Sequence, residues 1–187
     1  MHIKEINNII PNKYSKVIDN IMGRNFPWFT DPVEKTTDHH YPSFYHIVLR
    51  RPEEGDRINS DLYTPLKNMF EEIAKKHNIK YKEFGRIGVN CTFHEKEKWG
   101  NFHVDHAYPN KSLLIFLNNF DEGSFFITSK KYNKKLGTDI GAKKPTCNIT
   151  EIKSKKNKGV FFDGSYYHSR GFPKDKQKRI VIVYTFW

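Results

Sequence analysis

The sequence predicts a mainly β protein, a β-sandwich or jelly roll with helical buttressing, on three observations. Aromatic residues make up 15% of the 187 positions, with Phe and Tyr outnumbering Trp, which suits β-structure better than a helical bundle. From Gly85 onward, short apolar or alternating segments are separated by turn signals. One strong helical pattern stands ahead of them.

Taken in order, Ser15 to Met22 reads as a short helix and FPWFTDP after it as an aromatic loop. Ser43 to Arg50 alternates and is read as a strand. Thr64-Pro65 resembles a cap followed by Pro at the first helical position, and Leu66, Met69, Phe70, Ile73 and His77 then keep helical spacing up to Asn78. Ile87, Val89, Cys91 and Phe93 alternate as in a half-buried strand. Further strands are expected at Phe102–His106, Leu113–Leu117, Ser124–Thr128, Thr146–Ile152, Val160–Asp163 and Arg179–Phe186. The turns between them are marked by Pro109-Asn110, Asp121-Glu122-Gly123, Asp163-Gly164 and Gly171 to Pro173. No repeat or biased linker divides the chain, so one domain over 1–187 is expected, with 1–84 supporting and 85–187 as the core.

No apolar run reaches membrane-spanning length, and MHIKEINNII lacks a secretory h-region. A soluble cytoplasmic protein without membrane partners is expected, in the host cytoplasm for a viral chain. Cys91 and Cys147 are far apart and read as structural thiols. The net charge of +11 favours anionic partners such as nucleic acid. Ten lysines against Asp139 and Glu151 between positions 130 and 158 concentrate that charge in a segment that reads as a solvated loop face.

His103-Val104-Asp105 is the central motif. On an extended backbone, residues i and i+2 share a side, so an imidazole and a carboxylate converge. His168 offers a second imidazole beyond the Val160–Asp163 strand. Two His and one carboxylate form the facial donor set that suits Fe(II) and leaves coordination positions open. Arg179 shares strand parity with Val181, Val183 and Thr185. A guanidinium on an inward face needs an anion, and its planar fork pairs with a carboxylate.

The stretch from about Arg86 to Phe186 resembles the 2-oxoglutarate/Fe(II)-dependent oxygenase superfamily, particularly small prolyl-hydroxylase-like members of bacteria and phages. The resemblance lies in HVDH at 103–106, SLLIFLNN at 112–119, DEGSFFI at 121–127, VFFDGSYYHS at 160–169 and KRIVIVYTF at 178–186, in that order and spacing. It implies a double-stranded β-helix, a cupin-like jelly roll. It also implies iron on His103, Asp105 and His168, the distal carboxylate of 2-oxoglutarate on Arg179, and Asn90 lining the co-substrate pocket. The Tyr that often follows H-x-D in such proteins is absent, leaving Ser112 or Thr185 as second carboxylate donors. The implied reaction consumes dioxygen, with ascorbate as an auxiliary, and couples decarboxylation of 2-oxoglutarate to succinate with hydroxylation. Asp105 in place of a small residue argues against halogenation. A protein side chain such as proline is the favoured substrate, with nucleic acid or a small molecule as alternatives. Two rival readings are a cupin-like module and a basic nucleic-acid-binding protein, both without catalysis.

Other candidates read more plainly. His39-His40 and His94 fall in polar loops and read as solvated. His106 has either a supporting or a substrate-facing role. Arg170 heads into a Gly-Pro turn and reads as part of an opening's rim. Trp28, Trp99, Tyr108, Tyr166 and Tyr167 fit either a cleft lining or β-core packing.

Overall fold

The computed structural model describes residues 3–30 and 43–187, so His39-His40 lie outside the described residues. Two antiparallel sheets face each other in a jelly roll, the double-stranded β-helix expected. The larger sheet has the order β1 (Ile3–Asn7), β8 (Lys158–Asp163), β5 (Lys111–Phe116), β10 (Lys178–Phe186), β4 (Phe84–Phe93), β3 (Ser43–Leu49) and β2 (Phe29–Thr30). The smaller has the order β7 (Ile149–Ile152), β6 (Phe125–Lys131) and β9 (Tyr166–Arg170). No helix among the described residues is long and apolar enough to cross a membrane.

Strands β5 and β10 are central and lose both faces to packing, which is why LLIF and IVIV read as near-continuous apolar runs. Leu113, Ile115, Ile180, Ile182, Tyr184 and Phe186 meet helix α2 (Tyr63–His77), whose Leu66, Met69, Phe70 and Ile73 are buried against them. Helix α1 (Ser15–Met22) adds Ile18 and Ile21. The opposite face of the same strands, bearing Leu114, Phe116 and Val181, packs with Phe125, Ile127, Val160 and Phe162. The odd–even alternation of β10 thus separates a helix-covered core from the space between the sheets.

Several sequence expectations shift. Helix α2 starts at Tyr63 rather than after a Thr64 cap, and Asn78 closes it in the left-handed conformation at φ 55°. Pro65 still lies in the first turn, where no N–H is missed. Strands β1, β2 and β9 were not expected, and the Phe102–His106 segment forms two isolated bridges, both at His103, rather than a strand. Both cysteines are free; burial pushes the Cys91 thiol up to about 11, which suits an inert core thiol.

Candidate metal centre

The loop after β4 is pinned before it delivers its ligands. Gly100 N–H donates to Arg170 O at 3.0 Å and Trp99 Nε1 donates to Ala142 O at 2.9 Å. Phe102 and Val104 then enter a small core with Phe126 and Tyr167, while His103 and Asp105 face the opposite way. The alternation expected of a strand survives although β-bridges form only at His103, to Asp139 on one side and His168 on the other. His103 bonds the backbone of His168 in both directions at 2.9 Å, on the edge of β9. That reciprocal bridge brings together two histidines 65 positions apart in sequence.

One ligand atom each from His103, Asp105 and His168 lies within 4.8 Å of the others. His168 Nε2 is 3.5 Å from Asp105 Oδ2. Each imidazole is oriented by its own backbone: His103 Nδ1 donates to Asn101 O at 3.1 Å, and His168 Nδ1 donates to Tyr166 O at 2.9 Å. A carbonyl only accepts, so both Nδ1 atoms carry a proton, and Nε2 is the ring atom that each histidine can offer to a metal. Burial, and then the charge of His168, pushes the His103 imidazole below its ordinary range. Burial alone would raise the Asp105 carboxyl. The hydrogen bond and charge of His168, with the charges of His103 and Arg86, outweigh that and hold it far below the usual range. An ionised carboxylate, and a His103 imidazole that resists protonation, suit the binding of a divalent cation.

A stability prediction follows for the metal-free protein. Burial also depresses the His106 imidazole, so His103 and His106 resist protonation when folded, whereas the unfolded chain takes those protons near about pH 6.5. The unfolded state then binds more protons, so stability is full above that pH and falls below it. The urea midpoint is expected to drop between pH 6.5 and 5; a constant midpoint would contradict the burial argument.

The recess beside the triad encloses about 690 Å³, part of it open to solvent, and Leu114, Phe125, Phe162, Val181 and Val183 form its apolar walls. Arg179 is 2% exposed on central strand β10, not on a surface edge. Its Nε donates to Gly123 O at 3.1 Å, its guanidinium lies 5.4 Å from the Phe116 ring centre, and its buried Nη2 has no hydrogen-bond partner among the described residues. Burial, with the charge of Arg170, lowers its pKa to about 9, which leaves it charged at neutral pH. Directly opposite in register on β4 stands Thr92, fully buried, whose Oγ1 also has no partner. Two buried, orphaned donors on paired residues of one recess fit a carboxylate.

Thr92 was not singled out in the sequence, where Ser112 and Thr185 were named instead. Ser112 is buried beside Asn110 Oδ1 at 3.5 Å and does not line the recess. Thr185 does line it, but is hydrogen-bonded to His106 Nε2 at 2.8 Å. The signal for Thr92 was available only as register: it pairs with Arg179, and Asn90 pairs with Val181, on the same recess-lining face. His106 is buried behind Thr185 and stacks on Tyr108, a supporting position. His94 is exposed and donates or accepts nothing within the triad; its Nδ1 bonds Pro173 O. Arg170 lines the recess with its guanidinium over the Phe172 ring. None of the five candidate cleft aromatics lines it.

No protein-family model matches the sequence, and no curated protein does. Solved structures match nearly the whole chain. One is an oxidoreductase of the 2OG-Fe(II) oxygenase family from Burkholderia pseudomallei, with a TM-score of 0.66, 14% identity, and coverage of 98% of this chain and 84% of that one. Another is the epimerase SnoN in complex with Fe3+, alpha ketoglutarate and nogalamycin RO, with a TM-score of 0.63, 10% identity and coverage of 98% and 78%. A third is a prolyl hydroxylase from Trichoplax adhaerens in complex with a hypoxia inducible factor peptide fragment, with a TM-score of 0.63, 9% identity and coverage of 99% and 83%. The chain has the jelly-roll fold of the 2-oxoglutarate/Fe(II) oxygenases.

Proposed function

We propose that residues 1–187 form one Fe(II)- and 2-oxoglutarate-dependent dioxygenase domain that hydroxylates a side chain of a protein substrate, with proline favoured. The observation that carries this reading is one recess holding both the His103, Asp105, His168 donor set and the partnerless Arg179 Nη2 and Thr92 Oγ1. The polypeptide substrate is supported by likeness to a prolyl hydroxylase whose structure holds a peptide.

In this reading His103, Asp105 and His168 would hold the iron. Arg179 and Thr92 would take the distal carboxylate of 2-oxoglutarate, and Asn90 would line its path. Bound there, the pair supplies decarboxylation of 2-oxoglutarate to succinate and carbon dioxide, coupled to insertion of one oxygen atom of dioxygen into a substrate C–H bond. The chain contributes position and environment. The two Nδ1–H···O=C bonds keep the imidazoles aimed, Asp105 stays ionised, and the apolar walls limit water.

The test is succinate formation from 2-oxoglutarate, with and without ascorbate, by Fe(II)-loaded protein offered a panel of proline-containing peptides. Iron-dependent succinate above the metal-free background is expected. Protein that neither binds 2-oxoglutarate in its Mn(II) form nor turns it over with any peptide would end this reading.

A further inference from the structure

Residues 130–158 carry ten lysines, two acids and no arginine, a net +8 out of the chain's +11. Both acids are engaged within the protein. Asp139 accepts from Asn101 Nδ2 at 3.0 Å and from Gly141 N–H at 2.7 Å; Glu151 pairs with Lys98 at 3.0 Å and accepts from Ser124 Oγ at 2.8 Å. Lys131 is matched by Asp163 and Lys158 by Glu5. The other eight lysines are exposed and make no ion pair among the described residues.

Four of these eight flank, along the chain, the 138–141 segment that pairs with residues 102–104. Lys134 and Lys135 lie in the turn that Asn133 closes with Gly137, and Lys143 and Lys144 follow Ala142. Between the two pairs, the backbone is stitched to the segment that carries His103. Val104 N–H donates to Thr138 O at 2.8 Å, Phe102 N–H to Gly141 O at 2.9 Å, and Ile140 N–H to Phe102 O at 2.9 Å. Like charges repel, yet the fold holds two lysine pairs within a few residues of either end of the rim segment that is paired with the metal-ligand strand. Such a surface calls for a negative partner.

We propose that this rim docks an acidic polypeptide segment adjoining the side chain to be oxidised, an inference that rests on the oxygenase reading. Charge complementarity selects an anion, and the composition of the rim selects a peptide over nucleic acid. Nucleic-acid surfaces use guanidinium forks and exposed aromatic faces for bases. The segment has no Arg, and its one aromatic, Tyr132, is half-buried. Compact ammonium charges at the ends of a rim suit carboxylates spaced along an extended chain.

The probes are fluorescein-labelled (Glu-Pro)6, its neutral counterpart (Gln-Pro)6, and the oligonucleotide dT7, which matches the acidic peptide in number of charges. Binding to protein loaded with Mn(II) and 2-oxoglutarate is followed by anisotropy at 50 and 300 mM NaCl. (Glu-Pro)6 is expected to bind at least about tenfold more tightly than (Gln-Pro)6, since each exposed charge pair contributes up to several-fold, and to weaken in high salt. The quadruple variant K134Q/K135Q/K143Q/K144Q should lose that preference while keeping 2-oxoglutarate affinity. The triple variant K153Q/K155Q/K156Q, in the connection between β7 and β8, should keep both. Broadening of the peptide's proton signals by Mn(II) should report proximity to the triad.

Equal binding of the two peptides, no binding of either, an unaffected quadruple variant, or dT7 binding more tightly than (Glu-Pro)6 would each overturn the proposal. Failure of the unmodified protein to bind 2-oxoglutarate would instead remove the oxygenase reading beneath it.

Discussion

Arg179→Met is expected to abolish measurable 2-oxoglutarate binding while leaving the ligand-free fold at least as stable. The two effects have opposite signs because the guanidinium is buried with one donor unmatched. Removing one partner of a buried, charge-assisted pair costs about 2–5 kcal/mol, or roughly 30- to 5,000-fold in Kd. In the empty pocket the same charge is a burden, and replacing it with an apolar side chain of similar size is neutral or favourable. Ligand at about 100 times Kd stabilises a protein by about 2.7 kcal/mol, so the wild type should show a clear rise in Tm with Mn(II) and 2-oxoglutarate, and the variant none. Thr92→Val, which removes one hydroxyl, should weaken binding by about tenfold or more, since hydrogen bonds to charged groups contribute about 1.5–3 kcal/mol. An Arg179→Met protein that still shows the ligand-induced rise would remove Arg179 from the co-substrate site.

Asp105→Asn is expected to lower Mn(II) and Fe(II) affinity by more than about a hundredfold, beyond the 10- to 100-fold typical of losing a group that merely supports a ligand. Asp105 is the one acid lining the recess among the described residues, so the substitution leaves two imidazoles and no negative charge there to oppose the cation. The amide keeps the shape of the carboxylate, which separates the electrostatic loss from a packing defect. Calorimetric titration with Mn(II) measures it, and His94→Ala is the matched control, because that exposed imidazole sits on Pro173 O away from the triad. Equal affinity in Asp105→Asn and the wild type would exclude a metal centre at this position.

The elements legible in the sequence were those whose pattern reflects local burial. Ser15–Met22 has the observed bounds, and β4, β5 and β10 fall within a few residues of expectation because their alternation or full burial is written in Ile, Val and Leu. Strand β9 was not legible: in YYHSR the residues lining the recess are His168 and Arg170, so polarity gives no core face to detect. The Phe102–His106 segment was over-read because alternation persists there without a continuous ladder.

By itself, the sequence determined which groups are available: two imidazoles, one carboxylate and one inward guanidinium, with parity that sends Arg179 and Val181 to the same side. Tertiary structure alone decided where they meet. Cross-strand register set Thr92 beside Arg179, and the His103–His168 bridge closed the triad. The physical reason is that side-chain direction follows from local backbone period, whereas pairing between distant segments is chosen by how the whole core packs.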